Sequence, residues 1–184
     1  MSTMGYQHLE NLPEPFIGEL FDGRLYAQSR HEFPHVHAHS TIEGKLSNPF
    51  HGGIGGPGGV IVTEPEVHLS LDMDVTVPDL AGSRRDRKLK FPSGHKIEIV
   101  PDWICEILSP STRSIDREIK MPLYVRYGVS WLWLVEPIEH VLEAYQLEAG
   151  EWLELGRHTG AAKADIPPFD AVPFDLDRLW MSTD

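Results

Sequence analysis

The alternation of apolar and polar residues along this chain predicts mostly short β-strands. The predicted strands cover residues 59–63, 66–72, 75–81, 102–108, 130–135, 141–147 and 151–155. The last three are separated by short turns, which is typical of an antiparallel meander. Nearer the N-terminus, two apolar runs flank Asp22-Gly23, a favoured turn dipeptide, and predict a hairpin over residues 16–27.

Apolar residues at helical spacing predict two helices. A short one runs from His39 to Leu46 and is expected to end at Asn48-Pro49. A longer one covers about residues 113–127, with Gly128 as a suitable C-terminal cap. Its expected buried stripe consists of Ile115, Ile119, Leu123 and Tyr127, and the stripe beside it consists of Asp116, Lys120 and Tyr124.

Length and composition indicate an ordinary globular protein. The chain has 184 residues, of which 41% are hydrophobic and 24% charged. We expect one domain over residues 1–184 with a core over about 16–180. The single cysteine, Cys105, excludes an internal disulfide, and we expect it to be a small buried residue. The polar N-terminus lacks the apolar stretch of a signal peptide, so the sequence predicts a cytoplasmic protein.

Two carboxylates and a lysine are the main candidates for chemistry. Asp79 lies near the end of one predicted strand, and Glu106 lies inside another. Alternation places Glu106 on the same face as Ile104 and Leu108, where a carboxylate needs a partner or a metal. Two carboxylates can bind Mg²⁺ or Mn²⁺. With Lys120 on the following helix, they form a set of groups suited to metal-assisted phosphodiester cleavage.

The most specific patterns in the chain are Val-Pro-Asp-Leu at residues 77–80 and PDWICEILSPSTRSIDREIKMPLYVRYGVSWLWLV at residues 101–135. Together they resemble the Uma-type family of restriction endonucleases, a branch of the PD-(D/E)XK nuclease superfamily. Looser matches are Gly-Glu-Leu-Phe-Asp-Gly at residues 18–23 and the short helix from His39 to Leu46.

The resemblance implies a restriction-endonuclease-like fold of the α/β (α+β) class. Its core would be a mixed, twisted β-sheet flanked by helices, with an N-terminal hairpin and a C-terminal β-meander. It further implies that Asp79 and Glu106 are metal ligands for Mg²⁺ or Mn²⁺, and that Lys120 orients water or neutralises charge on the phosphate. Glu19 is a candidate accessory acid. The implied function is metal-dependent hydrolysis of DNA, carried out by analogy as a homodimer because two cuts in a duplex need two sites.

The chain departs from the family pattern at several positions. Leu108 stands where the superfamily normally has its lysine, and Arg24 stands where the family often has a glutamate after Asp-Gly. Pro122 is unexpected inside a helix, because proline removes a hydrogen bond. The glycine-rich residues 52–59 lack the Gly-Lys-Ser/Thr ending of a phosphate loop, so they predict a flexible loop or tight turn.

A basic segment lies between the two predicted site strands, and its candidate phosphate contacts are Arg84, Arg85, Arg87 and Lys88. A solvated loop is an equally good interpretation of this segment. The formal net charge of −12 argues against broad affinity for nucleic acid. A bound divalent metal would offset that acidity at the site itself.

Two other functions stay open. A nuclease fold that has lost its chemistry would act as a binding module, and the net charge and the absent glutamate favour it. A cupin-like metalloenzyme is suggested by His35, His37 and His39, because Glu43 follows at His-x-His-x-x-x-Glu spacing. A helix starting at His39 would separate these side chains, and no suitable second histidine motif follows. The nuclease interpretation is therefore favoured.

Overall fold

The structure is a computed structural model that describes residues 4–28, 31–51, 58–70, 73–87 and 94–181. The strands within these residues are β1 (Ile17–Phe21), β2 (Arg24–Gln28), β3 (Gly59–Thr63), β4 (Glu66–His68), β5 (Val75–Thr76), β6 (Leu80–Arg84), β7 (Lys96–Ile97), β8 (Trp103–Ile107), β9 (Trp131–Glu136), β10 (Val141–Glu148), β11 (Glu151–Thr159), β12 (Lys163–Ala164) and β13 (Phe174–Asp175). The α-helices are α1 (Gln7–Glu10), α2 (Phe33–Leu46), α3 (Arg113–Ile115) and α4 (Met121–Tyr127). Wider π turns cover Ser47–His51 and Asp116–Lys120, and 3₁₀ turns cover Arg85–Arg87 and Leu176–Leu179.

The strands form two main sheets and a short ribbon of β12 and β13. The five-stranded sheet has the order β2-β1-β5-β4-β7, and the six-stranded sheet has the order β11-β10-β9-β8-β6-β3. Both are mixed, because β4 pairs with β7 and β8 pairs with β9 in parallel, whereas the other neighbours are antiparallel. The predicted N-terminal hairpin and C-terminal meander are confirmed as β1–β2 and β9–β10–β11. The α/β class is also confirmed, although two sheets replace the single one expected.

The six-stranded sheet is covered on both faces. Helix α2 and the C-terminal tail pack on one face, where Trp103 of β8 and Trp133 of β9 contact Phe169 of the tail edge to face. Helix α4 and parts of the five-stranded sheet lie on the other face, together with Ile104. Alternation along β8 therefore sends Glu106 to the α4 side, as predicted. The buried residues that the tail contributes to this face include Phe169, Phe174, Leu179 and Trp180.

The strand predicted over residues 75–81 is divided in the structure. Val75–Thr76 belong to the five-stranded sheet, whereas Leu80 begins β6 of the six-stranded sheet. The connection contains Pro78, which has no N–H to donate to a ladder. Asp79 therefore lies where the chain passes from one sheet to the other.

Helix α2 begins at Phe33 rather than at His39, with Pro34 in its first turn, where a missing N–H costs nothing. It continues into the Ser47–His51 turn instead of ending at Asn48-Pro49 as predicted. No helix among the described residues is long and apolar enough to cross a membrane.

The helical backbone also overturns the cupin interpretation. His37 and His39 point to different partners: His37 Nε2 lies 3.0 Å from the Arg178 carbonyl oxygen, and His39 Nε2 lies 3.1 Å from the Asp79 carbonyl oxygen. Successive side chains on a helix turn by about 100°, so alternate histidines cannot converge as they do on a strand.

The predicted long helix is confirmed as α3, the Asp116–Lys120 turn and α4 in succession. The Met121 N–H bonds the carbonyl of Asp116, five residues earlier, which widens this turn. The wider turn lies directly before Pro122, which has no N–H and whose ring would crowd a carbonyl in a regular helix. Pro122 is therefore accommodated without a break in the helix.

Two glycines offer a matched test of backbone conformation. Gly128 follows α4 at φ 75°, a left-handed conformation in which a Cβ is strained. Gly44 lies within α2, and no atom lies within 4 Å of a Cβ added there. We expect Gly128→Ala to lower the free energy of unfolding by about 1 kcal/mol and Gly44→Ala to raise it by about 0.5–1 kcal/mol. Urea denaturation measures both, and shifts of the same sign would contradict this account.

Candidate functional site

A buried lysine surrounded by carboxylates is the central feature of the site. Lys120 Nζ lies 2.9 Å from Glu106 Oε1, 3.2 Å from Glu19 Oε1 and 3.4 Å from Asp116 Oδ1. We call these four residues the Lys120 cluster, and each is at most 5% exposed. Water therefore screens their charges poorly. Three carboxylates face one ammonium, so the fully ionised cluster has an excess of negative charge.

Three separate parts of the fold supply this cluster. Glu19 comes from β1 of the five-stranded sheet, and Glu106 comes from β8 of the six-stranded sheet. Asp116 and Lys120 are the first and last residues of the wide helical turn. The cluster therefore joins both sheets to the helix, and its geometry depends on how all three pack.

Hydroxyl groups hold the carboxylates of the cluster in place. Tyr124, one turn after Lys120, donates a short hydrogen bond to Glu106 Oε1. Thr76 donates to Glu19 Oε1 at 2.8 Å, and its Oγ1 lies 2.9 Å from the Tyr124 hydroxyl oxygen. The two carboxylates are thus linked by a chain of buried polar contacts, which limits their movement.

The protonation equilibria of the cluster reflect its shortage of positive charge. Burial raises the pKa of Glu106 well above its usual range, and the carboxylates of Asp116 and Asp79 act in the same direction. Burial also raises the pKa of Asp116. For Lys120, burial would favour the neutral amine, but the carboxylates of Glu106 and Glu19 hold its pKa well above the usual value. An added cation would relieve the repulsion among these carboxylates.

Asp79 lies beside the cluster and has its own contacts. Leu80 pairs with Cys105 in antiparallel register, so the preceding Asp79 comes opposite Glu106. Asp79 Oδ2 accepts the Ile107 N–H at 2.6 Å. Burial alone would raise the pKa of Asp79, but the neighbouring His35 and the Ile107 N–H bring it below the usual value. Asp79, directly before β6, and Glu106, on the adjacent β8, therefore offer oxygen donors of the type that Mg²⁺ and Mn²⁺ prefer.

Two histidines lie on the other side of Asp79. His35 Nε2 is 2.9 Å from Asp79 Oδ1, and His31 Nε2 is 3.8 Å from the same oxygen. Burial and the neighbouring His35 ring lower the pKa of His31, although the Asp79 carboxylate acts in the opposite direction.

The structure brings four of the predicted site residues together and separates the basic segment from them. Asp79, Glu106, Lys120 and Glu19 all lie in or beside the Lys120 cluster. Arg84 ends the strand that Asp79 precedes, and five residues of extended chain place it roughly 17 Å away.

The remaining basic residues are also distant or engaged. Arg85 donates to the His51 carbonyl, and Arg87 pairs with Asp102 at 3.2 Å. Asp102 also accepts the Arg84 N–H, so it is a structural residue. Lys88 lies outside the described residues. The predicted contact of this segment with a phosphate backbone stays a prediction.

No role was predicted for several residues that the structure places at the site. Of the expected buried stripe on the long helix, Leu123 alone is fully buried, whereas the polar stripe of Asp116, Lys120 and Tyr124 is buried. The four-residue spacing of this polar stripe was visible in the sequence. His31 and His35 are likewise four residues apart, but His35 was considered only as part of the cupin motif.

Cys105 is buried as expected, and burial raises its pKa, which makes its thiol unreactive.

Comparison with known proteins relates this chain to a family of putative nucleases. The sequence matches the family model described as Uma2, putative restriction endonuclease, over residues 5–176. The fold is similar to that of a putative nuclease belonging to DUF820 from Anabaena variabilis, known from a crystal structure, with a TM-score of 0.70 and 19% sequence identity. The similarity covers 96% of this chain and 97% of the other, and at this identity it establishes a common fold alone. None of the curated proteins matches this chain.

Proposed function

Given that the chain belongs to the Uma2 family of putative restriction endonucleases, we propose that it hydrolyses phosphodiester bonds of DNA with the help of Mg²⁺ or Mn²⁺. The reaction would take place at Asp79 and the Lys120 cluster. Family membership supports a nuclease in general, whereas the choice of metal, of DNA and of internal cleavage rests on the chemistry of the site.

One observation carries the proposal: buried carboxylates outnumber the ammonium that they surround, and Asp79 adds a further carboxylate next to them. A purely structural ion pair would be balanced, because unpaired buried charge is costly. The excess of oxygen donors fits a divalent cation. Fully buried carboxylates with strongly raised pKa values are also more frequent at functional sites than elsewhere.

Each residue has a distinct part in this proposal. Asp79 and Glu106 would hold the ion, which supplies Lewis-acid stabilisation of charge on the phosphate and makes a nearby water more acidic. Tyr124 fixes one oxygen of Glu106 by its hydrogen bond. Lys120 keeps Glu106 in place, and its positive charge favours the ionised carboxylate. The predicted contact of Lys120 with water or phosphate stays a prediction.

The excess acidity of the chain restricts how DNA would be bound. With a formal net charge of −12, long-range attraction to a duplex is weak, and the bound metal would provide the local positive charge.

The homodimer also stays a prediction, which the molar mass in solution tests directly.

The decisive experiment is cleavage of supercoiled plasmid and of single-stranded DNA with Mg²⁺, with Mn²⁺ and with a chelator. We expect cleavage only with metal. Asp79→Asn should lower the rate by about 100-fold, because it weakens both metal binding and the charge at the site. Asp86→Asn is the matched control: its carboxylate is exposed in the basic segment and should leave the rate unchanged.

Equal rates for Asp79→Asn and the parent protein would show that cleavage arises elsewhere or from a contaminant. Metal binding by the folded protein without cleavage of either DNA would reject the DNA nuclease proposal in favour of a binding module.

A further inference from the structure

His31 and His35 form a second group of potential ligands next to the site. His31 lies two residues before α2 and His35 lies in its first turn, and their rings are stacked with centroids 3.7 Å apart and planes 2° from parallel. One donor atom from each histidine and one from Asp79 all lie within 4.8 Å of one another. The three side chains therefore already converge on one point.

The ring nitrogens of His35 are the unusual feature of this group. The side chain is only 5% exposed, yet neither Nδ1 nor Nε2 has a hydrogen-bond partner among the described residues. The close approach of Nε2 to Asp79 Oδ1, at 2.9 Å, lacks the angles of a hydrogen bond. Buried polar atoms are normally paired, because an unpaired one costs about 1–3 kcal/mol. A buried imidazole nitrogen that faces a carboxylate oxygen without hydrogen-bond geometry is available to bind a metal ion.

We propose that His31, His35 and Asp79 bind a divalent transition-metal ion. Two imidazole nitrogens and one carboxylate oxygen favour ions such as Zn²⁺, Co²⁺ or Mn²⁺ over Mg²⁺, which prefers oxygen donors. Three protein ligands leave a coordination position open, as in reactive rather than structural zinc sites. His31 is 14% exposed, so this position has a route to solvent.

Neighbouring groups orient the Asp79 carboxylate toward the two histidines. The Ile107 N–H occupies its Oδ2 at 2.6 Å, which leaves Oδ1 facing the two histidines. His39, on the next turn of α2, lies 3.1 Å from the Asp79 carbonyl oxygen and fixes the backbone there. The ion would thus sit on the α2 side of Asp79, whereas Glu106 and Lys120 lie on its α4 side. The site shares Asp79 with the proposed nuclease centre, but its existence does not depend on cleavage.

Titration of the metal-free full-length protein with Co²⁺ tests the proposal, because bound Co²⁺ absorbs visible light with an intensity that reports nitrogen ligation and low coordination number. We expect each chain to bind one Co²⁺ ion that shows this absorption. One equivalent of Zn²⁺ should displace the Co²⁺, whereas excess Mg²⁺ should not. His35→Ala and His31→Ala should each weaken Co²⁺ binding by at least about tenfold, since loss of even an outer-shell partner costs that much. His37→Ala, on the same helix but outside the group, is the matched control.

The outcomes separate this site from the proposed nuclease centre. Intact Co²⁺ absorption in Glu106→Gln, with loss in the histidine variants, supports a distinct site whether or not DNA is cleaved. Unchanged absorption in both histidine variants, or loss of absorption in Glu106→Gln alone, overturns the proposal. If His35→Ala fails to fold by circular dichroism, the partly exposed His31→Ala decides the result by itself.

Discussion

Replacing Lys120 by methionine is expected to slow metal-dependent cleavage by roughly 10³-fold and to lower the free energy of unfolding at pH 8 by about 3–5 kcal/mol. The side chain is 2% exposed and lies against three carboxylates. Methionine fills a similar volume but leaves these negative charges buried without a counter-charge. Chemical denaturation and plasmid cleavage, both below the melting temperature of the variant, measure the two effects.

The loss of stability should depend on pH. Without the ammonium of Lys120, the surrounding carboxylates would bind protons more tightly than in an unfolded chain, so the variant should regain stability as the pH falls toward 5. Lys45→Met, on the exposed side of α2, is the control and should change stability by less than about 0.5 kcal/mol. A pH-independent loss of stability in the Lys120 variant would mean that packing, and not charge, makes this lysine important.

Glu106→Gln is expected to have opposite effects on activity and stability. The proposed metal ligand is lost, so cleavage should fall by about 10³-fold or more. The free energy of unfolding without metal should nevertheless rise by about 1–3 kcal/mol at pH 8, because one excess buried negative charge is removed. Melting temperatures with and without Mg²⁺ extend the test: the ion should stabilise the parent protein and have little effect on the variant.

The pH dependence follows from the direction of the Glu106 shift. Burial raises the pKa of Glu106 in the folded state, so the folded protein binds this proton more tightly than the unfolded chain. The stability contributed by that proton is fully present below about pH 4, the range of an unfolded glutamate, and is lost as the pH rises through the folded pKa. Glutamine does not titrate. The advantage of Glu106→Gln should therefore be small at pH 4 and grow with pH.

Two further variants make this result decisive. Glu118→Gln, on the exposed face of the helix that carries Lys120, is the control and should leave stability and cleavage almost unchanged. Removing the Glu106 charge should stabilise Lys120→Met by more than it stabilises the parent protein, because in that variant the carboxylate no longer has an ammonium beside it. Additive effects would refute the electrostatic account of the Lys120 cluster.

Local patterns predicted the strands and the long helix well. They failed where contacts with distant parts of the chain, and not the local sequence, decide the structure. Alternation continues from residue 75 to residue 81, although the chain changes sheets at Pro78. The sequence before His39 has few apolar residues at helical spacing, so the first turns of α2 were not predicted. The wide turn before Pro122 depends on hydrogen bonds that periodicity does not reveal.

The site was predicted mainly through the family resemblance. The apolar stripe of the long helix packs against the core as predicted, but its spacing did not reveal that the neighbouring stripe with Asp116 and Lys120 is buried more deeply, because a charged stripe normally faces solvent. Burial of Lys120 is made possible by Glu19, which lies a hundred residues earlier in the chain. Such pairing over long distances along the chain cannot be inferred from local patterns. The same limit applies to His31 and Asp79, which meet only when α2 packs beside the junction of the two sheets.

The wide turn at Asp116–Lys120 also limits which insertions and deletions in the gene leave the site intact. A regular helix advances about 100° per residue, so deleting one codon within this turn would rotate the segment before it, including Arg113, by that angle relative to Tyr124. Arg113 would move away from Glu136, which it now contacts at 2.5 Å, or Asp116 would leave Lys120. Substitutions on the exposed side of this helix should be tolerated in natural variants, whereas single-codon insertions and deletions between Ser111 and Tyr124 should be strongly selected against.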